Sequence, residues 1–117
     1  MTGRHGTTAN ADLRWTVEAV RRRTDNNKRR FRLRLNDANG WLYQRLWTAT
    51  KLRGFADTAV DALDGIYHTR SGRWSSNMFD TNRIAITEHR ETRDEHMLFG
   101  RDDLERIVAR IDELLED

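Results

Sequence analysis

The chain contains no cysteine and no proline. Without thiols, disulfide cross-links, zinc–thiolate centres and thiol nucleophiles are excluded. Without proline, chain reversals fall to glycine and asparagine turns, which fits regular elements around a compact core. No apolar run approaches the roughly 18 residues of a membrane span. Met1–Asn10 lacks the hydrophobic core of a secretory signal and reads as a flexible tail. A cytoplasmic protein with no membrane association is expected, from a cell or a virus-infected cell. Catalytic signatures are missing too. There is no HExxH, no His-x-Glu joined to cysteines and no nuclease-like carboxylate–lysine pattern. Gly54 and Gly72 do not build a phosphate loop, and Ser71, Ser75 and Ser76 have no neighbouring motif to activate them. His89, Glu91, Asp94 and His96 flank a hairpin tip, where charge is ordinarily solvated. His5 falls in the tail, and His68 at a helix end. Neither an enzyme nor a metal or cofactor site is expected.

What the chain does have is separated charge. Its 117 residues fit one domain, with residues 11–117 as a single α+β unit after the tail. Residues 1–55 carry 13 Lys or Arg against 4 acids, a balance of +9, and residues 56–117 carry 8 against 15, a balance of −7. Nine cations lie between Arg14 and Arg34, opposed only by Glu18 and Asp25. That density is the footprint of a polyanion partner. Neutralisation of the basic half by the acidic half is the competing account. Arginine outnumbers lysine 19 to 2, which suits bidentate phosphate contacts, although a GC-rich genome gives the same bias.

The basic half reads as a three-stranded ribbon. Leu13, Trp15, Val17 and Ala19 alternate with Arg14, Thr16 and Glu18, and Phe31, Leu33 and Leu35 alternate with Arg30, Arg32 and Arg34. Period-two alternation marks half-buried strands. Within the turn cluster Thr24–Asn27, a three-residue loop from Asp25 to Asn27 pairs Ala19 with Leu33 and Val17 with Leu35. A helix over Asp12–Arg23 competes through Leu13, Val17 and Val20, with strand favoured by Trp15, Thr16, Val17 and Val20. Asn39-Gly40 is the strongest hairpin signal. A two-residue turn there pairs Leu33 with Leu46, Arg34 with Arg45 and Arg32 with Trp47. In that register Leu42 and Leu46 join the inward apolar face, and Trp41, Tyr43, Arg45 and Trp47 join the arginine face. A helix over residues 41–52, using Leu42, Leu46 and Ala49, remains the alternative.

In the second half, Asp57 to Tyr67 reads as a helix capped at Asp57 or Thr58, with Val60, Leu63 and Ile66 or Tyr67 inward and Gly65 weakening its end. His68 to Asn82 reads as a long polar loop. Arg83–His89 and His96–Phe99 read as a second β-hairpin around a charged turn at Glu91–Glu95. A C-terminal amphipathic helix opens at Asp102 with Glu105 in the capping-box position and a stripe of Leu104, Ile107, Val108, Ile111, Leu114 and Leu115. Packing on the domain's own sheet is the default for that stripe. Its spacing also allows helix pairing, and a homodimer through it is expected.

A basic three-stranded sheet followed by a helix resembles the small DNA-binding domains of the AP2 and integrase arm-binding type, over about residues 13–68. The residues that carry the resemblance are Leu52-Arg53-Gly54-Phe55, where the family has Leu-Gly-x-Phe, and the helix start Asp57-Thr58-Ala59-Val60-Asp61-Ala62. The resemblance implies that the sheet face enters the DNA major groove.

The expectation is therefore a small nucleic-acid-binding protein of viral or mobile-element type, its partner DNA or RNA. Arg30, Arg32, Arg34 and Arg45 would contact phosphates or guanine edges, and Trp41, Tyr43 and Trp47 would stack on bases or pack on sugars. The rival is a protein-binding regulator or inhibitor from a phage or mobile element, since Trp and Arg also anchor protein interfaces.

Overall fold

A computed structural model describes residues 14–20, 30–37, 40–68 and 73–116, the side chains at 36, 37 and 40–42 excepted. The fold is α+β, with two antiparallel three-stranded sheets and two helices. The chain divides into two compact units, Met1–Ala49 and Thr50–Asp117. The tail, the Thr24–Asn27 turn, Asn39, Ser71 and Gly72 lie outside the described residues.

The first unit is a sheet of β1 (Arg14–Val20), β2 (Arg30–Asp37) and β3 (Gly40–Thr48), in that order across the sheet. All three are strands, so the helical alternatives for β1 and for residues 41–48 do not hold. The β1–β2 register differs from the expected one by two residues: Trp15 pairs with Leu35, Val17 with Leu33 and Ala19 with Phe31. A shift of two keeps every side chain on its face. It also improves the pairing. In the expected register Phe31 would oppose Arg21 and Trp15 would oppose Asp37, whereas here both have apolar partners on the buried face. Trp15, Val17, Phe31 and Leu33 are all buried.

The β2–β3 register differs by an odd number, with larger consequences. The hairpin closes on the pair Asp37–Gly40, and a bulge follows, because Asn36 pairs with Trp41 but Leu35 pairs with Tyr43. Leu42 is the extra residue. Beyond it Leu33 pairs with Arg45, Arg32 with Leu46 and Phe31 with Trp47. A one-residue slip exchanges the two faces of a strand. Trp47 is therefore in the core at 2% exposure and Leu46 faces outward at 37%, the reverse of the expectation. The physical preference is one of area, since an indole removes roughly 150–250 Å² from water, more than a leucine.

All but the first residue of α1 (Ala49–Leu63) belongs to the second unit, and the helix starts eight residues before the expected one at Asp57 and ends before Tyr67. Its buried apolar stripe is Leu52, Phe55, Ala56, Ala59 and Ala62, of which Leu52, Phe55, Ala59 and Ala62 follow the 3-4-3 spacing of a helix face. Val60 and Ile66, expected inside, are exposed. The Leu52-Arg53-Gly54-Phe55 segment is helical rather than a strand ending. Gly54 disguised this helix in the sequence, yet it has a packing reason. A Cβ there would lie 2.7 Å from the indole Nε1 of Trp74, and Trp74 is held edge-on against Phe55 with ring centroids 5.8 Å apart. Gly65 terminates the helix rather than weakening it. Its φ of 83° is left-handed, and Gly65 N donates to Ala62 O at 3.0 Å while Ile66 N donates to Asp61 O at 2.8 Å, the paired bonds of a Schellman cap. Arg101 Nη1 adds a donor to Leu63 O at 2.9 Å, placing a cation at the negative helix end.

The second sheet orders β4 (Trp74–Asp80), β5 (Arg83–His89) and β6 (Asp94–Gly100). β5 has its expected bounds. β4 lies within the stretch expected to be a loop, His68 to Asn82, which turns the expected hairpin into a three-stranded sheet. Ser75, Ser76, Asn77 and Asp80 have low strand propensity and hid it. Its pairing with β5 and the reciprocal bonds between His68 and Ser76 hold it extended: Ser76 N donates to His68 O at 2.8 Å and His68 N to Ser76 Oγ at 3.0 Å. The inward row contains Ile84, Ile86, Met97 and Phe99, all buried. It also contains Glu88, 1% exposed, whose carboxylate takes Lys51 Nζ at 2.9 Å and Arg73 Nη1 at 3.2 Å. Two cations on one buried carboxylate meet the requirement that such a charge be paired. The chain closes with α2 (Arg101–Glu116), one residue earlier than the expected start at Asp102. Leu104, Ile107, Val108, Ile111 and Leu114 are buried within the single chain. The stripe that suggested a homodimer is thus consumed by the monomer. No described helix is long and apolar enough to cross a membrane.

Candidate nucleic-acid interface

β2 is the central strand of its sheet, so its outward row has neighbours on both sides. Arg30, Arg32 and Arg34 form that row. Across β1 they face Val20, Glu18 and Thr16, and across β3 they face Thr48, Leu46 and Gln44. Arg14 is exposed at the start of β1 on the same face. The row is ordered by two polar neighbours. Glu18 Oε1 lies 3.2 Å from Arg32 Nη1 and 3.9 Å from Arg34 Nη2, and Arg34 Nε donates to Gln44 Oε1 at 3.1 Å. Four cations thus share a face with one described carboxylate. Glu18 is 52% exposed, and solvent-exposed ion pairs contribute only about 0–1 kcal/mol. Glu18 therefore orients the guanidinium groups without binding them so firmly that a phosphate could not take its place.

The aromatic half of the expected site is elsewhere. Tyr43, Arg45 and Trp47 share the opposite face with Phe31, Leu33 and Leu35. Trp47 is buried and offers no stacking surface. Tyr43 meets Trp15 edge-on with centroids 5.4 Å apart. The Arg45 guanidinium carbon sits 4.5 Å from the Tyr43 ring centroid, and its Nη1 donates to Gln44 O at 2.8 Å. Arg45 is thus committed to its own sheet. The side chain of Trp41 lies outside the described residues. The structure brings together Arg30, Arg32 and Arg34 and separates them from Tyr43, Arg45 and Trp47, because the bulge inverts β3. It adds Arg14, Glu18 and Gln44. The first two share the parity of Thr16 and were readable from the sequence. Gln44 was not, since its face depends on the bulge.

The histidine and acid residues of the second unit do not form one cluster. His89 Nδ1 lies 3.0 Å from Asp94 Oδ1 and its Nε2 lies 2.8 Å from Ser75 Oγ. His96 Nδ1 pairs instead with Thr87 Oγ1 at 2.9 Å. Among the described residues no group of three or more His, Asp or Glu side chains could hold a metal ion. Asp80 stands apart at the β4–β5 turn, where the Arg83 guanidinium and the Asn82 amide hold its carboxyl below the usual carboxylate range. No protein-family model and no curated protein matches the chain.

Proposed function

We propose that the first unit binds DNA or RNA through the phosphate backbone, using the outward face of β2. The observation that carries this reading is the arginine row on one strand face, joined by Arg14 and ordered by Glu18 and Gln44. Planar guanidinium groups suit phosphate oxygens, and orientation before contact lowers the entropy lost on binding. Burial of Trp47 removes that residue from base stacking, so the reading rests on contacts to phosphate. Viral or mobile-element origin and a cytoplasmic site of action remain part of this proposal.

The test is a fluorescence-anisotropy titration with a duplex and a single strand of equal length at several salt concentrations. Affinity is expected to fall steeply with salt, since each neutralised phosphate releases about 0.7–0.9 counterion. Arg32→Ala with Arg34→Ala should lower the slope by up to about two units and leave the fold intact. Absence of binding to either ligand at about 50 mM salt, where nonspecific attraction is strong, would refute the proposal and leave a protein-binding regulator as the better account of the face.

A further inference from the structure

The second sheet brings Ser75 beside His89 and Asp94, two residues that face each other across the β5–β6 turn. Ser75 lies on β4, His89 ends β5 and Asp94 opens β6. Ser75 pairs with Thr87, and His89 pairs with Asp94. Because side chains alternate along a strand, all of these residues project from one sheet face. His89 is one diagonal step from Ser75, and its backbone N is fixed by a hydrogen bond to Arg73 O.

The proton positions follow from the partners. A carboxylate only accepts, so Nδ1 of His89 carries the hydrogen donated to Asp94 Oδ1 at 3.0 Å. With that tautomer, Nε2 is the nitrogen that faces the Ser75 hydroxyl, at 2.8 Å. This is a hydroxyl nucleophile against a base whose tautomer is set by a third group. The His89 side chain is 10% exposed and Asp94 34%, which keeps the base sheltered and in contact with solvent on one side. A cavity of about 370 Å³ adjoins the base, walled by Lys51, Arg73, His89, Arg90, Glu91 and Thr92. Its three cations are matched by acids: Lys51 and Arg73 pair with Glu88, Arg90 lies 3.7 Å from Glu95 Oε1, and Glu91 adds a third carboxylate.

We propose that Ser75, His89 and Asp94 form a hydrolytic relay for small carboxylic esters. Ser75 Oγ would bond to the acyl carbon as its proton passes to His89 Nε2. Collapse would break the bond to the leaving oxygen, which takes that proton and departs as the alcohol. Water would then add to the seryl ester, giving a proton to Nε2, and Ser75 would leave as the hydroxyl by reclaiming it. The net reaction is ester and water to acid and alcohol. Asp94 orients the ring and stabilises the imidazolium that forms. The inference does not depend on nucleic-acid binding by the first unit.

The decisive measurement uses the full chain, a fluorophosphonate probe and peptide mapping by mass spectrometry. One adduct on Ser75 is expected. Its rate of formation should fall by about 10²–10⁴-fold in His89→Gln and substantially in Asp94→Asn, while His96→Gln, altered on the same face, keeps it. Circular dichroism establishes that each variant is folded, and near-isosteric Asp94→Asn serves if His89→Gln is not. An unlabelled Ser75 in the folded wild-type chain would overturn the proposal, as would labelling that is indifferent to His89 and Asp94, since a hydrogen-bonded strut needs no nucleophile. For the substrate class, the folded wild-type chain should release 4-nitrophenol from 4-nitrophenyl acetate, and Ser75→Ala should lose that release. Hydrolysis unchanged in Ser75→Ala would overturn the ester assignment.

Discussion

Replacing Trp47 and Leu46 in turn tests the β2–β3 bulge, on which the composition of the candidate interface depends. Trp47 is 2% exposed, whereas Leu46 is 37% exposed. An indole withdraws roughly 150–250 Å² from water. At about 25 cal/mol per Å² that burial is worth about 4–6 kcal/mol as an upper bound. Part is retained by the alanine and the cavity adds a penalty, so Trp47→Ala should cost about 3–5 kcal/mol. Leu46→Ala removes a side chain from the outward face and should cost under about 1 kcal/mol. Small domains are stable by about 5–15 kcal/mol, so the difference is large enough to measure. Urea unfolding followed by far-ultraviolet circular dichroism reads both, without interference from the fluorescence of the other tryptophans. If Trp47→Ala leaves too little folded protein, Trp47→Leu retains part of the volume and should still cost more than Leu46→Ala. The reverse order would mean that the hairpin pairs without the bulge, with Leu46 inside and Trp47 among the arginines.

Two further outcomes are expected. Gly54→Ala in an ordinary helix interior would stabilise by about 1 kcal/mol, but here the new methyl would lie 2.7 Å from Trp74 Nε1, and overpacking costs about 1–3 kcal/mol. A net loss in thermal or urea unfolding is therefore expected, relieved when Trp74→Ala is added, and a net gain would contradict the packing. For Asp80, the folded carboxyl is held below its ordinary value, chiefly by the Arg83 hydrogen bond and also by the Asn82 amide. Its contribution to the β4–β5 turn is thus complete above the unfolded carboxylate's ordinary range and disappears as pH falls through the lowered folded value. An NMR titration of Asp80, with amide exchange at Asn82 and Arg83, should show the turn loosening only at that acidic end, and loosening already near neutral pH would refute the assignment.

Patterns internal to one segment were legible in the sequence. Alternation along Trp15–Ala19 and Phe31–Leu35 gave the strands and kept Arg30, Arg32 and Arg34 on one face, because side-chain direction along a strand has a period of two whatever the strand pairs with. Arg83–His89 was legible for the same reason, and the α2 stripe because its 3.6-residue period spans four turns. Relations between segments were not. The bulge at Leu42 depends on how the hairpin closes and which apolar residue the core admits, so the faces of Tyr43, Arg45 and Trp47 were decided only on folding. Helix α1 was obscured by Gly54, which is explained by Trp74, a residue twenty positions away. β4 has too few apolar residues to announce a strand and is defined by its partner β5. His89 and Asp94 flank one hairpin tip and were legible as neighbours, but Ser75 joins them only through the pairing of β4 with β5. One chain segment fixes its own periodicity, but register, bulges and contacts across strands minimise energy over several segments at once, and only tertiary structure decides them.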